Sequence, residues 1–193
     1  GLVSARKEGL KNATGTYITF VDGDDWVDKF YLDIMFRLAD ANKADLVVTG
    51  HFREFDGKIE TIKPKNVGIY DENDLIKEIL PNAIYNGEFC EHGISTYVWN
   101  KLFKKELLDQ ILFNVPDDVV MGEDAAITFS YLTICKKLVI SSPPLYYYRQ
   151  RHDSIVKSVE NPKIEYYRLG LLMNYLQSKL KLSLDEKNIK EQI

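Results

Sequence analysis

The feature that most constrains the fold is a short apolar run that ends in acid. Tyr17-Ile18-Thr19-Phe20-Val21 is β-branched, aromatic and nearly free of polar residues, and it runs straight into Asp22-Gly23-Asp24-Asp25. Such a run fits a strand buried on both faces, as in a parallel sheet under helices. The acids then fall at the carboxyl edge of that sheet, where open α/β folds bind ligands. Packed carboxylates repel one another, and a hard divalent cation relieves the repulsion through oxygen ligands. A solvated turn with an Asp capping the next helix explains the same residues, and spacing alone leaves both readings open. A calcium loop of the EF-hand kind does not fit, because Val27 stands where its turn needs glycine.

The flanking sequence alternates helix and strand. Val3 to Ala13 has helical spacing with Val3, Leu10 and Ala13 on one side, and Gly15 reads as the left-handed residue past its end. Lys29 to Ala41 carries Phe30, Ile34, Leu38 and Ala41 at helical spacing, and Ala44 to Phe52 reads as a strand centred on Leu46-Val47-Val48. Phe52 to Ile62 suits a hairpin around Asp56-Gly57. Glu72 to Leu80 predicts a helix ended by Pro81, and Asn82 to Thr96 a loop. Trp99-Asn100-Lys101-Leu102-Phe103 precedes a short helix. Asp124 to Lys136 predicts a helix buried along Ile127, Tyr131, Ile134 and Cys135. Two strands, Leu138 to Ile140 and Leu145 to Tyr148, flank a Pro143-Pro144 turn. Ile164 to Leu182 is a long amphipathic helix through Tyr167, Leu171, Leu172, Tyr175 and Leu176, with a weaker helical tail from Ser183. The pattern is α/β.

Several residues have both a chemical and a plain reading. Glu123-Asp124 opens a helix, where the positive end favours an ionised carboxylate. Such a group can take a proton from a hydroxyl, or it can simply be a first-turn acid. Arg149 and Arg151, with His152 beside them, and Arg6 in the first helix suit diphosphate oxygens or are plain surface charge. Trp99 offers a face to a sugar or packs in the core beside Leu102 and Phe103. The formal net charge of -4 argues against a nucleic-acid partner. Cys90 and Cys135 have no metal-ligand spacing, Cys135 reads as a buried thiol, and a reducing, cytoplasmic compartment follows. No run reaches the ~18 apolar residues of a membrane span. There is no P-loop, GxGxxG, HExxH or Gly-x-Ser-x-Gly.

In order along the chain, five segments resemble family-2 glycosyltransferases. Gly1-Leu2-Val3-Ser4-Ala5-Arg6-Lys7-Glu8-Gly9-Leu10 is similar to G-x-x-x-A-R-N-x-G-L/I, with Lys7 in place of the usual Asn. Residues 13–25 look like the strand leading into the family's DXD motif, with Gly23 where Ser is frequent. Val98 to Phe103 resembles the W-N-K-L-Y/F segment of capsule-type members. Gly122-Glu123-Asp124 looks like the motif that supplies the base, and Tyr146 to Arg151 resembles Y-x-Y-R. The resemblance implies a partial GT-A (Rossmann-like) fold, with residues 1–153 as the C-terminal portion of a catalytic domain and 154–193 as a helical extension. The family's usual opening, V-S-V/I-I-V/I-P-x-Y/F-N with its D-G-S-x-D acids, is not found in these residues. The chain is therefore expected to lack the nucleoside-binding part and to transfer little sugar alone.

The resemblance further implies inverting transfer of a sugar from a nucleotide-diphosphate donor to a glycan or lipid-linked acceptor. Asp124, with Glu123, would act as base. Asp22, Asp24 and Asp25 would hold Mg²⁺ or Mn²⁺, with Asp24 the direct ligand and Asp25 in support. Arg6, Asp22, Arg149 and Arg151 would face the donor diphosphate, and Trp99 and Asn100 the acceptor. Lipid-linked acceptors would place the protein at the inner face of the plasma membrane, with the long helix resting on the membrane or, alternatively, packing on the core or on a second copy. A sugar nucleotidyltransferase would want a Gly-rich basic phosphate loop, which is not seen. A non-catalytic sugar- or nucleotide-binding remnant would keep the scaffold only.

Overall fold

The structure is a computed structural model. It describes residues 1–88, 91–150 and 161–187, with side chains through residue 179 in the last stretch. The expectations for Cys90, Arg151, His152 and the boundary after residue 153 lie outside these residues.

Two long strands form the centre. β3 (Leu46–Phe55) and β7 (Leu138–Gln150) run parallel, with Leu46 opposite Leu138 and Val48 opposite Ile140. Around them the described strands pair antiparallel: β1 (Tyr17–Ile18) on β6 (Lys101–Lys104), β6 on β3, β2 (Trp26–Val27) and β5 (Gly68–Tyr70) on β7, and β4 (Lys58–Ile62) on β3. The sheet order is β1-β6-β3-β7-β2. The sheet is thus mixed rather than parallel throughout.

Alternation along the strands divides the core in two. Leu46, Val48, Phe103, Leu138 and Ile140 point to the larger cluster, under α1 (Leu2–Asn12), α4 (Lys105–Leu112), α5 (Glu123–Leu132) and α6 (Pro162–Lys187). Val47, Leu102 and Val139 point to the other face, covered by α2 (Tyr31–Asn42) through Tyr31, Met35 and Ala39. The α2 stripe is therefore turned from the expected one, and Phe30 is 52% exposed. In α6, Leu172, Tyr175 and Leu176 are buried, whereas Tyr167 is 65% exposed. Tyr167 lies five residues before Leu172, about 140° round the helix, so the two cannot share a stripe.

Four more expectations change in detail. β1 keeps only two residues, half-buried, and β6 is its one partner among the described strands. Val21 is 51% exposed, so the run is not buried on both faces. The first helix ends on extended Ala13, and Gly15 is not left-handed. The two strands around Pro143-Pro144 are one strand, because β7 takes the prolines into a bulge opposite Thr49 and Gly50, where Pro needs no ladder bond. Glu72 to Leu80 is helical as expected but not one α-helix: α3 (Glu72–Asp74) runs into a π-helix (Leu75–Ile79) and then a 3₁₀ turn (Leu80–Asn82), and Pro81 lies inside that turn. The hairpin is as expected, with Asp56 and Gly57 both at positive φ (52° and 76°), the geometry a two-residue turn requires.

α5 is bolted to the sheet by one side chain. The Tyr131 hydroxyl donates to the Asp45 carbonyl (2.6 Å) and accepts from the Lys104 amide (3.1 Å). The Asp45 carboxylate accepts from the Lys136 and Lys137 amides at 2.9 and 3.2 Å. These bonds fix the helix whose first turn carries Glu123 and Asp124.

Candidate active site

The first turn of α5 begins at Gly122, which is left-handed (φ 74°), a conformation that favours glycine. A Cβ there would lie 2.4 Å from Leu172 Cδ2 of α6. The next two residues meet Arg6, which projects from the buried face of α1 between Val3 and Leu10. Arg6 Nη1 lies 2.7 Å from Asp124 Oδ1 and 3.3 Å from Glu123 Oε1, and all three side chains are less than a fifth exposed. Asp124 Oδ2 also accepts from the Val98 amide at 3.3 Å. The Arg6 guanidinium lies 5.6 Å from the centre of the Phe20 ring, just before the acidic loop.

The loop is a turn closed by the Asp25 amide donating to the Asp22 carbonyl (3.1 Å). Burial pushes the Asp22 carboxyl above the ordinary carboxylate range; Arg6 pulls it down, while Asp124, Asp25 and Asp24 push it up. Asp22 thus shares one electrostatic neighbourhood with Arg6 and Asp124. Just ahead of α2, Asp28 Oδ1 accepts from the Phe30 amide (2.8 Å), and no acid of the loop caps the helix, whose N-cap is Phe30. Asp25 faces the sheet instead. Its Oδ2 accepts from the Tyr146 hydroxyl (2.8 Å) and its Oδ1 from the Arg149 amide (2.8 Å). Burial pushes the Asp25 carboxyl up, and these two bonds pull it down. Tyr146 Oη also accepts from the Asp22 amide at 3.0 Å, so one tyrosine clamps both ends of the turn. Asp24 is exposed.

The Arg149 guanidinium lies 4.9 Å from the centre of the Trp26 ring, which stacks on Tyr147 at 5.1 Å. Arg149 is thereby held beside the loop. Trp99 is elsewhere. It is 2% exposed and stacked against Tyr97, Tyr146 and Tyr148 at 4.6, 4.3 and 5.3 Å, so its ring has no free face for a ligand. Asn100 is equally buried. Its Nδ2 donates to the Thr49 carbonyl and its Oδ1 accepts from Lys101 Nζ. The core reading of the Trp99-Asn100 pair is the one the structure realises, and Tyr97 and Tyr148 lie nearer the surface.

Two parts of the site escape sequence reasoning. Lys101 is buried, with Nζ donating to the Ser95 and Tyr97 carbonyls as well as to Asn100. Burial lowers its pKa to about 7, with Asp124 pulling it back up. Tyr146 lies 121 residues from Asp25 in sequence, and only its place in the Tyr146-Tyr147-Tyr148-Arg149 run signalled it. Among the described residues no three His, Cys, Asp or Glu side chains converge as a metal cluster. The loop nevertheless suits an ion that takes one or two carboxylates plus substrate phosphates, because the neighbouring acids, Asp24 among them, disfavour the charge on Asp22 while Asp25 is held by Tyr146.

The site thus sets an acid-lined turn against carboxylates on a helix N-terminus, with arginine beside it, on a mixed α/β scaffold. Residues 1–112 match the model of glycosyl transferase family 2, and the chain belongs to that family. EpsH of Bacillus subtilis, named as a glycosyltransferase, is 27% identical over 167 residues, covering 86% of this chain and 46% of its own. Glycosyltransferase GlyA of Streptococcus pneumoniae is 27% identical over 163 residues, 80% of this chain and 22% of its own. A crystal structure of Staphylococcus aureus TarS 1-349 in complex with UDP-GlcNAc superposes with a TM-score of 0.62 at 18% identity, covering 97% of this chain and 48% of that one. The partial GT-A fold expected from the motifs is thereby borne out. The chain spans about half or less of the length of these curated relatives. Among the described residues no helix is long and apolar enough to cross a membrane.

Proposed function

We propose that this chain supplies the metal-binding and base-bearing side of an inverting glycosyltransferase, which moves a sugar from a nucleotide-diphosphate donor to a glycan or lipid-linked acceptor. The observation that carries the reading is the shared neighbourhood of Asp22, Arg6 and Asp124, which sets a loop suited to diphosphate against a carboxylate suited to a hydroxyl. Asp22 and Asp24 would hold Mg²⁺ or Mn²⁺, whose chemistry is to offset charge on the leaving diphosphate. Asp25 is a positioning residue, fixed by Tyr146 and the Arg149 amide. The Arg149 side chain stands beside the loop to meet a phosphate oxygen. Arg6 serves the acids of α5 first, setting the orientation of Asp124. Asp124 takes the acceptor proton as the acceptor oxygen displaces the diphosphate from the opposite face of the sugar.

Because the 193 residues span less than half of EpsH, the reaction is assigned to the full-length protein, and the chain alone is expected to transfer little. Proton NMR of the product formed by the full-length protein tests the reading. An α-linked donor should give a β-linked product, and retention of configuration would contradict the single displacement.

A further inference from the structure

A cavity of about 300 Å³ opens between β3, the segment after β4 and residues 91–97, and neither the loop nor the α5 acids line it. His51, Arg53, Lys63, Ser95 and Tyr97 are among its walls. Three buried polar atoms of these walls have no hydrogen-bond partner: His51 Nε2, Arg53 Nε and Ser95 Oγ. His51 is only 4% exposed. Buried polar atoms in folded proteins are nearly always paired, so three orphans around one cavity mark a place shaped for a polar guest.

The chemistry of the walls specifies that guest. Burial, with Arg53 and Lys101 adding to it, lowers the His51 pKa to about 4, so the ring is neutral at physiological pH and offers a hydrogen bond rather than a charge. Ser95 offers a hydroxyl that donates or accepts. These suit sugar or polyol hydroxyls, and Tyr97 adds an aromatic wall for C–H surface. Positive charge comes from Arg53 and Lys63. Lys65 and Glu91, also on the walls, neutralise each other, and Glu60 pairs with Arg53 at Nη1 (3.3 Å). With both pairs counted, the Lys63 charge is left over, so the balance at the cavity is cationic.

Its position ties it to the chemistry. The Ser95 and Tyr97 carbonyls both accept from Lys101 Nζ, and the next amide, Val98, donates to Asp124. The wall of the cavity thus leads directly to the proposed base.

We propose that this cavity is an acceptor subsite for an anionic, hydroxyl-rich unit, a sugar or polyol carrying one phosphate or carboxylate. The assignment to the acceptor side rests on the function proposed above, whereas the existence and chemistry of the cavity do not. Calorimetric titration of the 193-residue chain with ribitol 5-phosphate, glucuronate, glucose and inorganic phosphate tests it. At least one anionic polyol should bind at least about tenfold tighter than glucose and inorganic phosphate, the scale of one charge-assisted hydrogen bond. Whether ribitol 5-phosphate or glucuronate binds tighter identifies the anion. Arg53→Gln should weaken that binding by about tenfold or more, and Arg53→Lys should restore part of it. Should Arg53→Gln fail to fold, Lys63→Gln at the rim carries the same expectation. Absence of binding by any probe, equal binding of glucose, or no effect of either charge removal overturns the proposal. Titration of the full-length protein with UDP and Mn²⁺ separates the two ideas. Polyol binding without nucleotide binding keeps the subsite and removes the transferase reading.

Discussion

Asp124→Asn in the full-length protein is expected to lower turnover at least ~100-fold, the scale of losing a general base. The expectation follows from how little else the change disturbs. The amide keeps an oxygen to accept from the Val98 amide, a bond of 3.3 Å in the native protein. Arg6 keeps Glu123 as an anionic neighbour at 3.3 Å. The scaffold behind the residue is untouched, since Tyr131 anchors α5 through the Asp45 carbonyl and the Lys104 amide. What is lost is the one group in this first turn that is both bonded to the Val98 segment and able to receive a proton. Donor KM and the circular dichroism spectrum should therefore stay near wild type while kcat falls. Near-normal kcat would remove Asp124 from the mechanism.

Arg6→Met should act mainly on stability. A buried ion pair contributes little over an apolar replacement of the whole pair, but removing one partner strands the other, at about 3–5 kcal/mol. Here the stranded charges are Asp124 and Glu123, both under one-fifth exposed. The loss should depend on pH in a defined direction. Burial, and then Asp124, already raise the Glu123 carboxyl above its ordinary value of 4.5, and Arg6 is one of the influences lowering it. Without Arg6 it rises further. A carboxyl raised in the folded state binds protons more readily there than in the unfolded chain, so stability grows as pH falls from above the raised value toward 4.5. Urea unfolding should show the gap between wild type and variant narrowing from pH 8 to pH 5. A gap below about 1 kcal/mol that is flat with pH would mean that the cluster is not a coupled unit.

Much of the scaffold is legible in the sequence because its signals are local. Asp56-Gly57 specifies its hairpin through two positive φ values, and Leu46-Val47-Val48 reads as a central strand because both faces of the sheet bury it. The order of the acidic loop, the α5 acids and Arg149 carried the family. What was not legible depends on contacts distant in sequence. A Pro143-Pro144 pair reads as a break unless its own strand can bulge there, opposite Gly50 of the neighbouring strand. Arg6 looks like a phosphate ligand until α5 arrives 117 residues later with two carboxylates. Trp99 looks like a sugar platform until three tyrosines cover it. The alternating burial along β3 and β7 could not by itself show that His51 and Arg53 end beside a cavity.

The central claim is that the Asp22–Asp25 turn holds a divalent cation together with a nucleotide diphosphate. Electron paramagnetic resonance of Mn²⁺ titrated into the full-length protein tests it most directly, with and without UDP, in wild type and in Asp24→Ala. The account predicts that UDP increases the bound Mn²⁺ in wild type and that Asp24→Ala abolishes the increase. Equal Mn²⁺ binding by wild type and variant in the presence of UDP would contradict it.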